Sequence, residues 1–179
     1  MNIQVRSGDR IHITGNNGSG KTTLVKLLVR GTEAGGRDDY TADFSYLYID
    51  QECSVLDPGL TVFEQTERFN ASHLAEHELK SILNRCLFPY ETWDKPCFCL
   101  SGGEKIRLLF CCLMIGNNAP DVFILDEPTN NLDIQSVEII TAAIKSYRGT
   151  VLLISHDHYF VKEIKINRSI KLFDTGSVI

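Results

Sequence analysis

Three short runs of this sequence bring together residue types that handle phosphate. Gly15-Asn16-Asn17-Gly18-Ser19-Gly20-Lys21-Thr22 fits the pattern G-x-x-x-x-G-K-[ST]. Its glycines let backbone N–H groups turn inward and cradle phosphate oxygens. A helix starting near Gly20 adds its positive end. Lys21 supplies a point charge for the outer phosphates, and Thr22 offers a hydroxyl to Mg²⁺. The second run is Val122-Phe123-Ile124-Leu125-Asp126-Glu127, four apolar residues ending in two carboxylates. A buried strand that stops in adjacent acids presents them at the carboxyl edge of a sheet, where α/β proteins bind ligands. There Asp126 is suited to hold Mg²⁺, directly or through water, and Glu127 to orient or deprotonate an attacking water. The third run is Leu100-Ser101-Gly102-Gly103-Glu104. Ser101 and Glu104 make an S-x-x-E capping box. A box does not need glycines, so Gly102 and Gly103 read as exposed N–H groups at a helix start, an anion site.

The elements around these runs must hold them in place. Ile11–Thr14, Ser45–Asp50, Val122–Asp126, Val151–Ser155 and Ser169–Phe173 read as strands. Val122–Leu125 and Val151–Ile154 show little polar alternation, which suits strands buried on both faces of a parallel sheet. Helices are predicted over Lys21–Arg30, Val62–Asn70, Ser72–Leu87, Gly102–Ile115, Ile134–Ser146 and His158–Ile164. Strands alternating with helices indicate an α/β fold. From about Asp57 to Ile115 the alternation breaks into successive helical patterns without a strand, a helical insert with turns at Pro58-Gly59, Pro89 and Pro96.

Composition narrows the function classes. With 179 residues the chain reads as one domain. A net charge of −5 disfavours a free-standing DNA binder. The longest apolar run, Leu108–Ile115, is far shorter than the roughly 20 residues of a bilayer span, and without a basic-then-apolar opening run a secretory leader is not expected. The cysteines (53, 86, 97, 99, 111 and 112) make no Cys-x-x-Cys pair, so zinc spacing is absent and reduced core thiols are expected. His156 and His158 form a His-x-His with no further ligand nearby in sequence.

Taken together, Leu-Ser-Gly-Gly-Glu and the other two runs resemble the ATP-binding cassette (ABC) superfamily, over roughly Ile3 to Phe173 with six motifs in order. The resemblance implies a P-loop NTPase fold: a mostly parallel sheet flanked by helices, with a helical subdomain (57–115) inserted into a nucleotide-binding core (1–56 and 116–179). It implies Mg²⁺-dependent ATP hydrolysis. Gly15 to Thr22, with Thr23 beside them, would hold the nucleotide. Thr22, Asp126 and Gln51 would serve the metal, and Glu127, Gln51 and His156 the reaction. Gln51 takes the place of the Q-loop glutamine, Asn131-Leu132-Asp133 that of the D-loop, and His156 that of the switch histidine. Ser101, Gly102, Gly103 and Asp133 would serve the nucleotide of a facing cassette. Asn16 stands where a proline is common and Thr22 where serine is common.

Asp126-Glu127-Pro128-Thr129-Asn130-Asn131-Leu132-Asp133, followed by Ser155-His156-Asp157-His158-Tyr159-Phe160, resembles the ABC-F class. Those are cytoplasmic proteins with two cassettes in one chain and no membrane insertion, many of which act on the ribosome. The insert is compact, with Gln51 and Leu100 only 49 positions apart. The family carries further strands before Ile3, including an aromatic that stacks on adenine. The sequence is therefore expected to be one cassette, the second, of a longer protein, with very weak ATPase activity by itself. The motor subunit of an ABC membrane transporter is the alternative.

Overall fold

The computed structural model describes residues 4–16, 18–33, 44–50, 52–116 and 119–172, without the side chains of 28–33. Asn17, Gln51 and Phe173 lie outside the described residues. The strands are β1 (Arg10–Thr14), β2 (Tyr46–Ile49), β3 (Val122–Asp126), β4 (Thr150–Ile154) and β5 (Arg168–Lys171). The helices are α1 (Lys21–Glu33), α2 (Val62–Arg68), α3 (Glu76–Arg85), α4 (Gly102–Gly116), α5 (Ile134–Ser146) and α6 (His158–Glu163).

The strands form one sheet in the order β2-β3-β4-β1-β5. β1 runs parallel to β4 and β5, and β3 runs parallel to β4. This is the α/β P-loop architecture expected of the sequence. The two apolar strands, β3 and β4, lie side by side in the sheet, and every residue of β4 is buried. Val122 pairs with Thr150, which moves β4 one residue earlier than its hydrophobic run suggests. β5 likewise begins at Arg168, whose neighbour in register is Ile11 of β1.

Two compact units are present. One comprises 1–48, 120–127 and 148–179; the other comprises 49–119 and 128–147. The first contains the sheet apart from the end of β2. Its core joins Ile11, Ile13, Val25, Val122, Ile124, Leu152 and Ile154. The second is helical around α4, which packs against α2, α3 and α5. α4 is apolar on most of its circumference because it is the central helix of this unit, with Ile106, Leu108, Leu109 and Ile115 all buried. The helical unit is larger than the predicted insert: α5 joins it, because the start of α4 packs against the start of α5.

Three helices are shorter than their patterns predict: α6 by one residue, ending at Glu163, and α2 and α3 by more. α2 opens on a capping box between Thr61 and Glu64 and ends at Arg68 rather than Asn70. α3 covers Glu76–Arg85 rather than Ser72–Leu87. Asn70 holds the preceding turn through both of its side-chain hydrogen bonds to Leu74, His73 takes a positive φ of 53°, and Leu87 beyond the far end takes 62°. No helix among the described residues is long and apolar enough to cross a membrane.

Candidate functional site

The sheet order explains how distant residues meet. β3, β4 and β1 are neighbours with their carboxyl ends on one edge. Gly15 follows β1, Glu127 follows β3 and His156 follows β4 by two residues.

The glycine-rich loop leaves β1 at Gly15 and enters α1 at Lys21. A Cβ at Gly15 would stand 2.5 Å from Ser19 Oγ and 2.8 Å from the Leu172 carbonyl, so only glycine fits there. Gly18 and Gly20 take φ near +84° and +86°, turning the chain with a conformation that costs L-residues about 1–2 kcal/mol. The Lys21 ammonium donates to the carbonyls of Gly15 at 2.8 Å and Asn16 at 2.9 Å, which anchors a cation to the loop. Ser19 Oγ is buried with no partner among the described residues, an unmet hydroxyl of the kind a polar ligand satisfies.

Asp126 stands at the end of β3 and receives two hydroxyls on the same oxygen. Thr22 Oγ1 donates to Asp126 Oδ2 at 2.9 Å, and Tyr48 Oη donates to it at 3.0 Å. The structure thus joins Thr22 and Asp126 across 104 positions of sequence. Glu127 follows immediately, at a φ of +52°. A non-glycine residue in that region is strained by about 1–3 kcal/mol and is held by its surroundings. Here the Glu127 N–H donates to the Ile154 carbonyl at 2.9 Å. The His156 N–H in turn donates to Glu127 Oε2 at 3.3 Å, and His156 Nε2 lies 3.5 Å from Oε1. The Glu127 side chain is 14% exposed and that of His156 66%, so the carboxylate is sheltered while the imidazole faces outward.

The signature run sits in the helical unit. The Ser101 N–H donates to Glu104 Oε2 at 2.7 Å and the Glu104 N–H donates to Ser101 Oγ at 3.3 Å, completing the predicted capping box. Burial raises the Glu104 carboxyl's pKa, but hydrogen bonds from Ser101 and the Lys95 ammonium more than offset it, leaving it below the usual value. The two glycines differ: Gly102 is exposed and Gly103 buried. A Cβ at Gly103 would meet Ser136 Oγ at 2.7 Å and Asp133 Oδ2 at 3.0 Å. Asp133 caps α5: its Oδ1 accepts from the Ser136 N–H at 2.8 Å, and its Oδ2 from the Ser136 hydroxyl at 2.9 Å. These bonds from Ser136 hold the Asp133 carboxyl below the usual carboxylate range.

The sequence pattern of the ABC transporter family matches residues 1–130, which include the glycine-rich loop, the signature run and the Asp126-Glu127 pair. The chain belongs to the ABC transporter family. ABC transporter F family member 5 of Arabidopsis thaliana is 38% identical over 179 residues, covering 97% of this chain and 25% of that protein. ATP-binding protein Uup of Escherichia coli (strain K12) is 38% identical over 165 residues, covering 90% of this chain and 26% of that protein. The chain therefore spans about a quarter of the length of these curated relatives. Among solved structures, the archaeal ribosome recycling factor aABCE1, in complex with the archaeal ribosomal stalk protein aP1, is similar with a TM-score of 0.67. The identity is 25%, over 93% of this chain and 32% of that one.

In this ABC cassette the donor set fits Mg²⁺. A threonine hydroxyl and a carboxylate, both hard oxygen donors, lie within 2.9 Å of each other. Mg²⁺ is bound through one or two such protein oxygens together with phosphates and water. The glycine cradle, the Lys21 ammonium and the buried Ser19 hydroxyl fit a phosphate chain. Sequence reasoning missed Tyr48. Its signal was present only as an aromatic in the short strand Tyr46–Ile49, and nothing in a linear pattern says that β2 lies beside β3. His12 was missed for a similar reason. One of its ring nitrogens lies 3.0 Å from the Ser155 carbonyl, tying β1 to the segment that carries His156.

Proposed function

We propose that this cassette binds MgATP and hydrolyses it to ADP and phosphate. The observation that carries the reading is the meeting, at one sheet edge, of the Lys21 loop, the Thr22–Asp126 bond and the Glu127–His156 pair. Lys21 and the loop amides bind the phosphates, with Gly15 to Thr23 as the nucleotide contact. Thr22 and Asp126, with Gln51, would hold Mg²⁺, which when bound neutralises charge on the phosphates.

Glu127 orients water and accepts its proton as the water oxygen bonds to the γ-phosphorus and the bond to the ADP oxygen breaks. The His156 N–H would keep the Glu127 carboxylate aimed, and the His156 ring would contact the transferred phosphate. Ser101, Gly102, Gly103 and Asp133 serve the nucleotide of a facing cassette, so a single copy hydrolyses ATP very slowly. In this reading residues 1–56 and 116–179 would act as the nucleotide-binding core and 57–115 as the helical subdomain, with α5 a part of the core chain that packs in the helical unit.

The similarity to F-family members, and to a factor whose own name is that of a ribosome recycling factor, favours a cytoplasmic protein that acts on the ribosome over a transporter motor subunit. Its partner would be a second cassette, with ribosomal RNA or protein as the larger target. The primary test is calorimetric titration of the chain with MgATP. Binding is expected in the wild type and loss of binding in Lys21→Ala. A Lys21→Ala chain that binds MgATP as tightly as the wild type overturns the assignment of the loop.

A further inference from the structure

Asp126 Oδ2 accepts two hydroxyls, and only one of them belongs to a phosphate-handling motif. We propose that Tyr48 is a positioning residue for the Mg²⁺ site: its hydroxyl fixes the Asp126 carboxylate so that it and Thr22 face one cation. The inference rests on the metal reading above and extends it to a residue outside the motifs.

Three observations carry it. Tyr48 stands on β2, the strand beside β3, and its hydroxyl reaches the last residue of β3 at 3.0 Å. Its ring packs against the apolar core of the sheet unit, so the hydroxyl is delivered by an already ordered side chain with two rotatable bonds. Both donors share Oδ2 of Asp126.

The chemistry separates their tasks. A hydroxyl has one proton and two lone pairs. Thr22 can serve a cation through a lone pair, and whether its proton stays on Asp126 depends on how the hydroxyl turns. The Tyr48 hydroxyl donates to Asp126 from β2, outside the phosphate loop. A neutral phenol is a poor ligand beside a carboxylate, so Tyr48 acts through Asp126. Partners that orient a ligating carboxylate typically contribute 10–100-fold to metal affinity.

Tyr48→Phe removes one oxygen and keeps the ring in the core. Nucleotide binding is measured by calorimetry across a Mg²⁺ series and in EDTA, for the wild type and Tyr48→Phe, with melting temperatures alongside. The expected result is an Mg²⁺ midpoint raised about 10-fold in Tyr48→Phe, with unchanged affinity in EDTA. An Mg²⁺ midpoint equal to the wild type's overturns the inference. So does a variant weakened equally with and without Mg²⁺, because Tyr48 would then support the fold rather than the metal. Wild-type binding that ignores Mg²⁺ throughout overturns the underlying metal reading, and this inference with it.

Discussion

Gly103 is expected to be glycine because of Ser136, and a double-mutant cycle can prove it. In Gly103→Ala the new methyl group stands 2.7 Å from Ser136 Oγ, 3.0 Å from Asp133 Oδ2 and 3.3 Å from Ser136 Cβ. Ser136 is fully buried, and turning its hydroxyl away breaks the 2.9 Å bond to Asp133. Overpacking of this kind costs about 1–3 kcal/mol, less the roughly 0.5–1 kcal/mol gained by replacing a helical glycine. The net loss is centred on about 1 kcal/mol, with an upper end of about 2.5 kcal/mol, and the central value is about 2–4 °C in Tm for a chain of this size. Ser136→Ala alone loses a hydrogen bond to a charged acceptor, about 1.5–3 kcal/mol, while the Ser136 N–H still caps α5 at 2.8 Å. In the double variant the closest obstacle is gone. Its loss should therefore fall short of the sum of the two single losses by about 1 kcal/mol. Urea unfolding of all four chains without nucleotide isolates packing from any ligand contact. Losses that add within about 0.5 kcal/mol, or a Gly103→Ala chain as stable as the wild type, refute the steric account.

Gly15→Ala forces Cβ to 2.5 Å from Ser19 Oγ and 2.8 Å from the Leu172 carbonyl. It should weaken MgATP binding at least about 10-fold and lower Tm, both readable in one thermal-shift titration with nucleotide. Stability should fall in acid. Glu104 and Asp133 have folded pKa values below their usual 4.5 and 3.8. Their contribution is complete above those values and is lost as pH falls through the lower folded ones. Urea midpoints should therefore drop below about pH 4, less steeply in Asp133→Asn. At the alkaline end, burial pushes the Cys53 thiol up to about 12 and the Cys97 thiol up to about 11 from 9.0. The folded state favours both neutral thiols, so stability should also decline as pH rises above 9.

Much of this molecule was legible because its motifs are local. The glycine-rich loop declares itself by sitting between a strand and a helix, and β3 and α5 fall on their predicted bounds, Val122–Asp126 and Ile134–Ser146. The Ser101–Glu104 box was readable for the same reason, since both partners lie within one helical turn. Boundaries set by neighbours were harder. Thr150 is polar, but its pairing with Val122 draws it into β4. The pattern Ser72–Leu87 looked helical throughout, yet the Asn70–Leu74 turn and the positive φ of His73 delay α3 to Glu76. Contacts across strands and helices were invisible. Tyr48 over Asp126 depends on strand order, and Gly103 against Ser136 depends on α5 lying on α4. Neither relation leaves a spacing in the sequence.

In the proposed reaction Glu127 handles the attacking water while other residues hold the nucleotide. This division of roles is tested most directly by measuring MgATP binding and phosphate release side by side in the wild type and Glu127→Gln, in the full-length protein. Glutamine keeps the size of the side chain and a hydrogen-bonding oxygen for the His156 N–H, but it cannot take a proton. Binding is expected within about twofold of the wild type, and phosphate release at least about 100-fold slower. A Glu127→Gln protein that releases phosphate at the wild-type rate contradicts this division of roles.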